Sequence, residues 1–230
     1  MSGIDWDLVR SSLGPLFREL VQGTLPLTAV SFTVGLALAV LVALMRLSGN
    51  RLISAPARFY VSVIRGTPLL LQLFIIFFGL PSLGVTLDPW PSAIIGLSLN
   101  VGAYASEAVR GAILAVPRGQ WEAAMTVGMG RVTTLRRVVL PQAARIAVPS
   151  LSNTLISLVK DTSLVSVVLV TELLRQAQVI AGQTFEYFTL YSLAGVYYWV
   201  VCLVLSFGQT RLETKLSRHC LLYTSDAADE

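Results

Sequence analysis

Residues 121–143, WEAAMTVGMGRVTTLRRVVLPQA, interrupt an otherwise oily chain. They carry Glu122, Arg131, Arg136 and Arg137, together with Gly128, Gly130 and Pro141. Over the whole 230 residues, 54% are hydrophobic, only 13% are charged and the mean hydropathy is +0.71. Soluble domains carry roughly 25% charged residues. The stretch is too polar for hydrocarbon and too helix-prone for a plain loop. It predicts a short helix over 121–127 and a sharp turn that Gly128 and Gly130 permit. A second helical piece follows, which Pro141 restarts at a helix N-terminus. Such a hairpin either presents one side to a partner or caps its own bundle.

Five apolar segments surround it: 25–44, 59–80, 90–114, 148–170 and 188–207. Each is long enough for a membrane-spanning helix, which needs about 20 residues. The second holds Arg65 and Pro68, and the fourth holds Lys160 and Asp161. Groups of that kind face a bundle interior or a cavity rather than lipid. No sustained two-residue alternation supports a barrel. Residues 4–21 space Leu8, Leu13, Phe17, Leu20 and Val21 at roughly helical intervals. They predict an amphipathic helix, lying either at the membrane surface or on its own protein. Asp5 and Asp7 stand where a cleavable signal peptide would be basic. The expected organisation is an outer N-terminal segment (1–24), a membrane domain (25–210) and a tail (211–230).

Basic residues alternate in side. Arg46, Arg51 and Arg58 fall after the first segment, Arg118, Arg131, Arg136, Arg137 and Arg145 after the third, and Arg211, Lys215 and Arg218 after the fifth. The other side holds Arg10, Arg18 and Arg175 among Asp5, Asp7, Glu19, Asp88, Glu172 and Glu186. The positive-inside rule puts the N-terminus outside and the C-terminus in the cytoplasm. The net charge of +4 is thereby topological and calls for no nucleic acid. Two cysteines, Cys202 and Cys220, and one histidine, His219, give no disulfide framework, metal cluster or nucleophile–base set.

The opening stretch resembles the signature loop of ABC importer permeases: Glu-Ala-Ala, three residues, Gly, nine residues, Ile, one residue, Leu-Pro. Here Glu122-Ala123-Ala124 leads to Gly128, and Leu140-Pro141 closes the pattern, with Val138 in place of Ile. RGTPLLLQL (65–73), GAYASEAVRGAI (102–113), GQWEAA (119–124), LPQA (140–143) and KDTSL (160–164) are similar to the polar amino acid permeases of the histidine/glutamine/arginine type. The likeness spans roughly residues 20–215.

That resemblance implies an all-α integral membrane protein of type I ABC importer permease fold. Five transmembrane helices are joined by a cytoplasmic coupling-helix loop over 118–141. It also implies a transport subunit without enzymatic activity, in a bacterial cytoplasmic membrane. Its partners would be an ATPase subunit, a second permease (the same chain or a similar one) and an extracytoplasmic amino-acid-binding protein. ATP and Mg would be bound by the ATPase, and this sequence has no G-x-x-x-x-G-K-[ST] loop. Glu122, Ala123, Ala124, Gly128, Leu140 and Pro141 would form the coupling surface.

A polar amino acid as solute needs donors for its carboxylate and acceptors for its ammonium. Asp161 and Glu107 supply acceptors; Thr162, Ser163, Asn100 and Gln72 supply neutral hydrogen-bonding groups. Purely structural roles compete: Lys160 would neutralise an acid, and Glu107 would pair with Arg110 three residues on. Arg65-Gly66-Thr67-Pro68 looks like a helix break. A secondary transporter or channel with these charges as an ion relay is the other function class. It leaves the Glu-Ala-Ala loop unexplained and lacks the internal repeat of such folds. The final CLLYTSDAADE has no apolar periodicity and reads as sequence foreign to a permease.

Overall fold

The computed structural model describes residues 5–217, and every regular element among them is helical. We number the elements α1 (Trp6–Leu47), α2 (Arg51–Gly66), α3 (Leu69–Leu83), α4 (Pro89–Ala115), α5 (Arg118–Thr126), α6 (Arg131–Val168), α7 (Leu173–Thr184) and α8 (Tyr187–Ser217). Each predicted apolar segment falls on these helices. α1 and α8 are long and apolar enough to cross a membrane alone. The pairs α2–α3 and α6–α7 qualify only together, bent by 106° and 48°. α4 has 27 residues, roughly 40 Å of helix. It is the centre of the bundle, packed by α1, α2, α3 and α6. The foreign-looking C-terminal stretch lies outside the described residues.

Leu-Pro steps shape three of these helices in the same way. Before Pro26, Pro81 and Pro141 the helix widens into one π turn: Leu20–Thr24, Ile75–Gly79 and Leu135–Val139. In each, the leucine N–H donates five residues back, Leu25 to Leu20, Leu80 to Ile75 and Leu140 to Leu135. Proline offers no N–H, and its ring collides with the carbonyl four residues earlier; a wide turn relieves both problems. Two expectations are corrected by this. Pro141 does not restart a helix, because α6 runs through it. Residues 6–24 are not a separate surface helix either. They continue into the first span without a break, and Leu16 and Leu20 are buried against Leu173, Ala177 and Ala194.

α1 and α4 meet through small residues. Ser31, Gly35, Ala39 and Ala43 recur every fourth position on α1, and all are buried. Against them stand Ser98, Val101, Gly102 and Ala105, and Ser98 Oγ donates to Ser31 O at 3.3 Å. In lipid no apolar driving force brings helices together, so close backbone approach supplies the attraction. A Cβ added at Gly35 would fall 2.6 Å from the Val101 side chain.

The break between α2 and α3 is clamped by one side chain. Gln72, 8% exposed, donates through Nε2 to Ile64 O at 2.8 Å, Thr67 O at 3.1 Å and Thr67 Oγ1 at 2.9 Å. Ile64 O lost its helical donor at Pro68, which has no N–H, and Thr67 is extended beyond the end of α2. Gln72→Leu keeps the volume and removes the donors. The expected cost is about 2 kcal/mol, that of leaving buried polar groups unpaired. A lowered thermal midpoint of the purified protein in detergent checks it; an unchanged midpoint would make the clamp incidental.

At the opposite end from the loop, Glu172 is fully buried. Its Oε1 accepts from Arg175 N at 2.7 Å, capping α7. Its Oε2 accepts from Tyr198 Oη at 2.6 Å and Thr24 Oγ1 at 3.4 Å. Thr24 Oγ1 in turn accepts from Leu173 N at 3.2 Å. One carboxylate therefore ties α1, α7 and α8 together at the π turn of α1.

Candidate functional site

The loop of residues 118–141 folds as a compact unit. Trp121 and Ala124 turn inward, packing on or near a core of Val109, Ala112, Ile113, Val139 and Ala143. α5 ends in a Schellman closure: Gly128 N donates to Met125 O at 2.9 Å and Met129 N to Ala124 O at 3.1 Å. That closure needs a left-handed residue, and Gly128 supplies it with φ +83°. A Cβ at Gly128 would meet nothing within 4 Å, so its backbone, not crowding within this chain, selects glycine. Gln142 Nε2 fastens the loop, donating to Gln120 Oε1 at 3.2 Å and to Val138 O at 3.0 Å. Leu140 is half-buried against the same core, and Pro141 is exposed.

What the loop turns outward is mixed. Glu122 and Ala123 are exposed, as are Met125, Val127 at 76% and Val132 at 79%. Arg131, Arg136 and Arg137 are exposed beside them. Apolar side chains this bare, outside the spans and rimmed by charge, mark an interaction surface. Glu122 makes no ion pair among the described residues, whose ion pairs all end on Glu107.

The polar residues predicted in the bundle separate into groups. Asp161, Thr162 and Ser163 sit where α6 tightens into a 3-10 turn over Thr162–Val168. The hydroxyls of Thr162, Ser163 and Ser166 cause this by donating to the carbonyls three residues back, at 2.7, 2.7 and 2.8 Å. Thr162 is buried, while Asp161 and Ser163 are half-buried. Asp161 is not paired with Lys160, which is exposed. Asn100 lies half-buried on α4. Gln72 commits its Nε2 to the α2–α3 break, and its Oε1 is buried without a hydrogen-bond partner.

Glu107 lies elsewhere. It belongs to the half of α4 next to the loop, whereas Asp161 is level with the other half, where Ala93 and Leu97 pack with Leu158 and Val165. Ten or more residues of helix separate the two levels, roughly 15 Å. Glu107 Oε1 is 2.9 Å from Arg46 Nη1 and 2.9 Å from Arg65 Nη1, and Oε2 is 3.3 Å from Arg110 Nη2. The expected pairing with Arg110 exists, but two further arginines join it. Sequence spacing could not reveal them, because Arg65 lies 42 positions away. The Gln120–Gln142 bond and the Glu172 node were missed for the same reason. Only the cap was legible, as an acid ahead of the helix that begins at Leu173.

Comparison with known proteins places this architecture. Residues 33–218 match the family described as "Binding-protein-dependent transport system inner membrane component". The chain belongs to this family: it is a membrane-spanning permease component of an ABC importer, the class its Glu-Ala-Ala loop resembles. Among similar proteins is the L-cystine transport system permease protein TcyB of Bacillus subtilis, 51% identical over 219 residues, covering 95% of this chain and 94% of TcyB. The glutamine transport system permease protein GlnP of Escherichia coli is 36% identical over 214 residues, covering 92% and 97%. A solved structure entitled "Crystal structure of an amino acid ABC transporter with histidines" superposes with TM-score 0.86 at 35% identity, covering 94% of this chain and all of that one.

Proposed function

We propose that this permease carries a polar amino acid inward by alternating access, with cystine as the first solute to test. The likeness to TcyB over nearly the full length of both chains supports that choice. An ATPase subunit docks on the loop, and the observation that carries this assignment is the loop's outward face. There, Glu122 supplies charge, Met125, Val127 and Val132 supply apolar area, and Gly128 fixes the turn that aims them. Ala123 and Ala124 keep α5 slim on both sides, the Gly128 turn sets its angle to α6, and the π turn before Leu140-Pro141 lies within α6 itself. Closure of two ATPase subunits around ATP then moves α5, and α6 with it.

The permease works as a pair, with itself or a similar chain, in the cytoplasmic membrane. The excess of arginine on the loop side supports a cytoplasmic loop. A binding protein delivers the solute on the other side. Asp161, Ser163 and Asn100 contact the solute, and Thr162, buried with its hydroxyl donated to Val159 O, holds the 3-10 turn that presents the first two. Asp161 accepts from its ammonium, being a half-buried carboxylate with no ion-pair partner among the described residues. Gln72 and Glu107 lie outside that site: Gln72 clamps the α2–α3 break and Glu107 holds the arginine cluster at the loop end.

Asp161→Asn removes the charge at constant size. A charge-assisted hydrogen bond contributes roughly 1.5–3 kcal/mol, so the KM for uptake should rise on the order of tenfold or more while the complex still assembles. The measurement is cystine uptake into vesicles holding permease, ATPase and binding protein. If the double change Lys160→Met with Asp161→Leu restores uptake, Asp161 belongs to packing and not to the solute.

A further inference from the structure

The cluster around Glu107 holds more positive charge than it needs. One carboxylate faces three guanidinium groups, from Arg46, Arg65 and Arg110, which leaves two charges uncompensated. Hydrogen bonds are short in the same sense. Arg65 Nη1 donates to Glu107 Oε1 at 2.9 Å, and Arg110 Nε and Nη2 donate to Oε2, both at 3.3 Å. Each guanidinium has five N–H donors, and a carboxylate accepts about four bonds. Arg46 Nε and Nη1 are buried and make no hydrogen bond, although Nη1 lies beside Glu107. Behind this donor excess, the Arg65 guanidinium stacks 5.2 Å above the Tyr104 ring, which fixes its plane.

The surplus is also accessible. The side chains of Arg65 and Arg110 are 42% and 34% exposed. Asn100, Tyr104, Glu107, Gly111 and Leu114 follow one another along the open stripe of an otherwise buried α4. The cluster lies one to two turns inside the loop end of α4, and Arg46 and Arg65 close α1 and α2 at the same level. Guanidinium groups at this depth do not face hydrocarbon. They face either a water-filled pathway or the lipid headgroups.

We propose that Arg65 and Arg110, with Arg46 behind them, form an oxyanion site that takes one carboxylate or phosphate group. The planar forks of arginine suit both groups. Glu107 orients the arginines and limits the site's affinity by its own charge. A carboxylate would come from the solute on its way past the loop end of the bundle; a phosphate would come from an anionic lipid. The site is distinct from Asp161, and it stands whatever amino acid is carried.

The test uses the permease–ATPase complex in phosphatidylcholine nanodiscs and reads its thermal midpoint. N-acetylglycine, a carboxylate without an ammonium, is titrated against glycinamide, an ammonium without a carboxylate. In a second arm phosphatidylglycerol is added to the nanodisc. The solute source predicts stabilisation by N-acetylglycine and none by glycinamide; the lipid source predicts stabilisation by phosphatidylglycerol. In whichever arm responds, Arg65→Gln or Arg110→Gln should raise the half-maximal concentration about tenfold, the share of one charge-assisted bond. Glu107→Gln should lower it, because the competing carboxylate is gone. This opposite sign separates anion binding from general damage to the fold. Midpoints that respond to neither ligand in the wild type, or equally in all four proteins, would overturn the site.

Discussion

Gly35→Leu is expected to leave almost no folded permease, and Gly195→Leu to be tolerated. Both glycines lie in long apolar helices, and both substitutions raise helix propensity. The difference is in what the new side chain meets. At Gly35 even a Cβ would lie 2.6 Å from Val101 Cβ and Cγ1 and 3.0 Å from Ser98 O. At Gly195 nothing lies within 4 Å. Overpacking a core costs typically 1–3 kcal/mol and at times more. Here α1 and α4 must separate along the whole Ser31–Gly35–Ala39–Ala43 face, so the upper end, about 3 kcal/mol or beyond, is expected. Monodisperse protein recovered from the membrane and its thermal midpoint are the readouts. Equal recovery of both variants would mean that α1 and α4 do not pack as described.

Gly128→Val should spare the fold and destroy coupling. The φ of +83° lies where β-branched residues are strained, at a cost on the order of 1–3 kcal/mol. The Schellman bonds from Gly128 N and Met129 N are lost if the backbone leaves that region. Nothing else in this chain crowds the site, so the spans should assemble normally. What changes is the aim of Glu122, Met125 and Val127. The ATPase should then co-purify poorly, or hydrolyse ATP without uptake. Gly128→Ala should be milder, and Gly128→Asn milder still, since asparagine tolerates the left-handed region. Coupled uptake at the wild-type rate in Gly128→Val would show that the turn is not what positions the loop.

Much of this was legible in the sequence because the signals were local. Helical length, hydropathy and arginine placement need no knowledge of the fold, and they gave five apolar segments. Gly128 was legible because a helix that stops at a glycine announces its own turn. Pro141 was misjudged for an instructive reason. Proline is at home in the first turn of a helix, and that preference also fits a proline sitting just after a wide turn in a continuous helix. The repeated Leu-Pro steps at Leu25, Leu80 and Leu140 were the available signal. Glu107 was half legible, since Arg110 lies within the same helix face while Arg46 and Arg65 arrive from other helices. Gln72 was legible as polar but not as a clamp. Its task is set by the carbonyls of Ile64 and Thr67, which the chain exposes only after it bends by 106°.

The most direct test of the account asks whether the loop touches the ATPase. Val127, 76% exposed, is changed to cysteine in a background where Cys202 and Cys220 are replaced by serine. The permease–ATPase complex is then treated with a short thiol-to-amine cross-linker. The account predicts one adduct of permease with ATPase, its yield changing when ATP is bound, and loss of ATP-driven uptake on cross-linking. The same cysteine placed at Gly195, on the exposed face of α8, should give none. A complex that co-purifies intact yet yields no adduct at Val127, with uptake unchanged, would contradict the docking of the ATPase on residues 118–141.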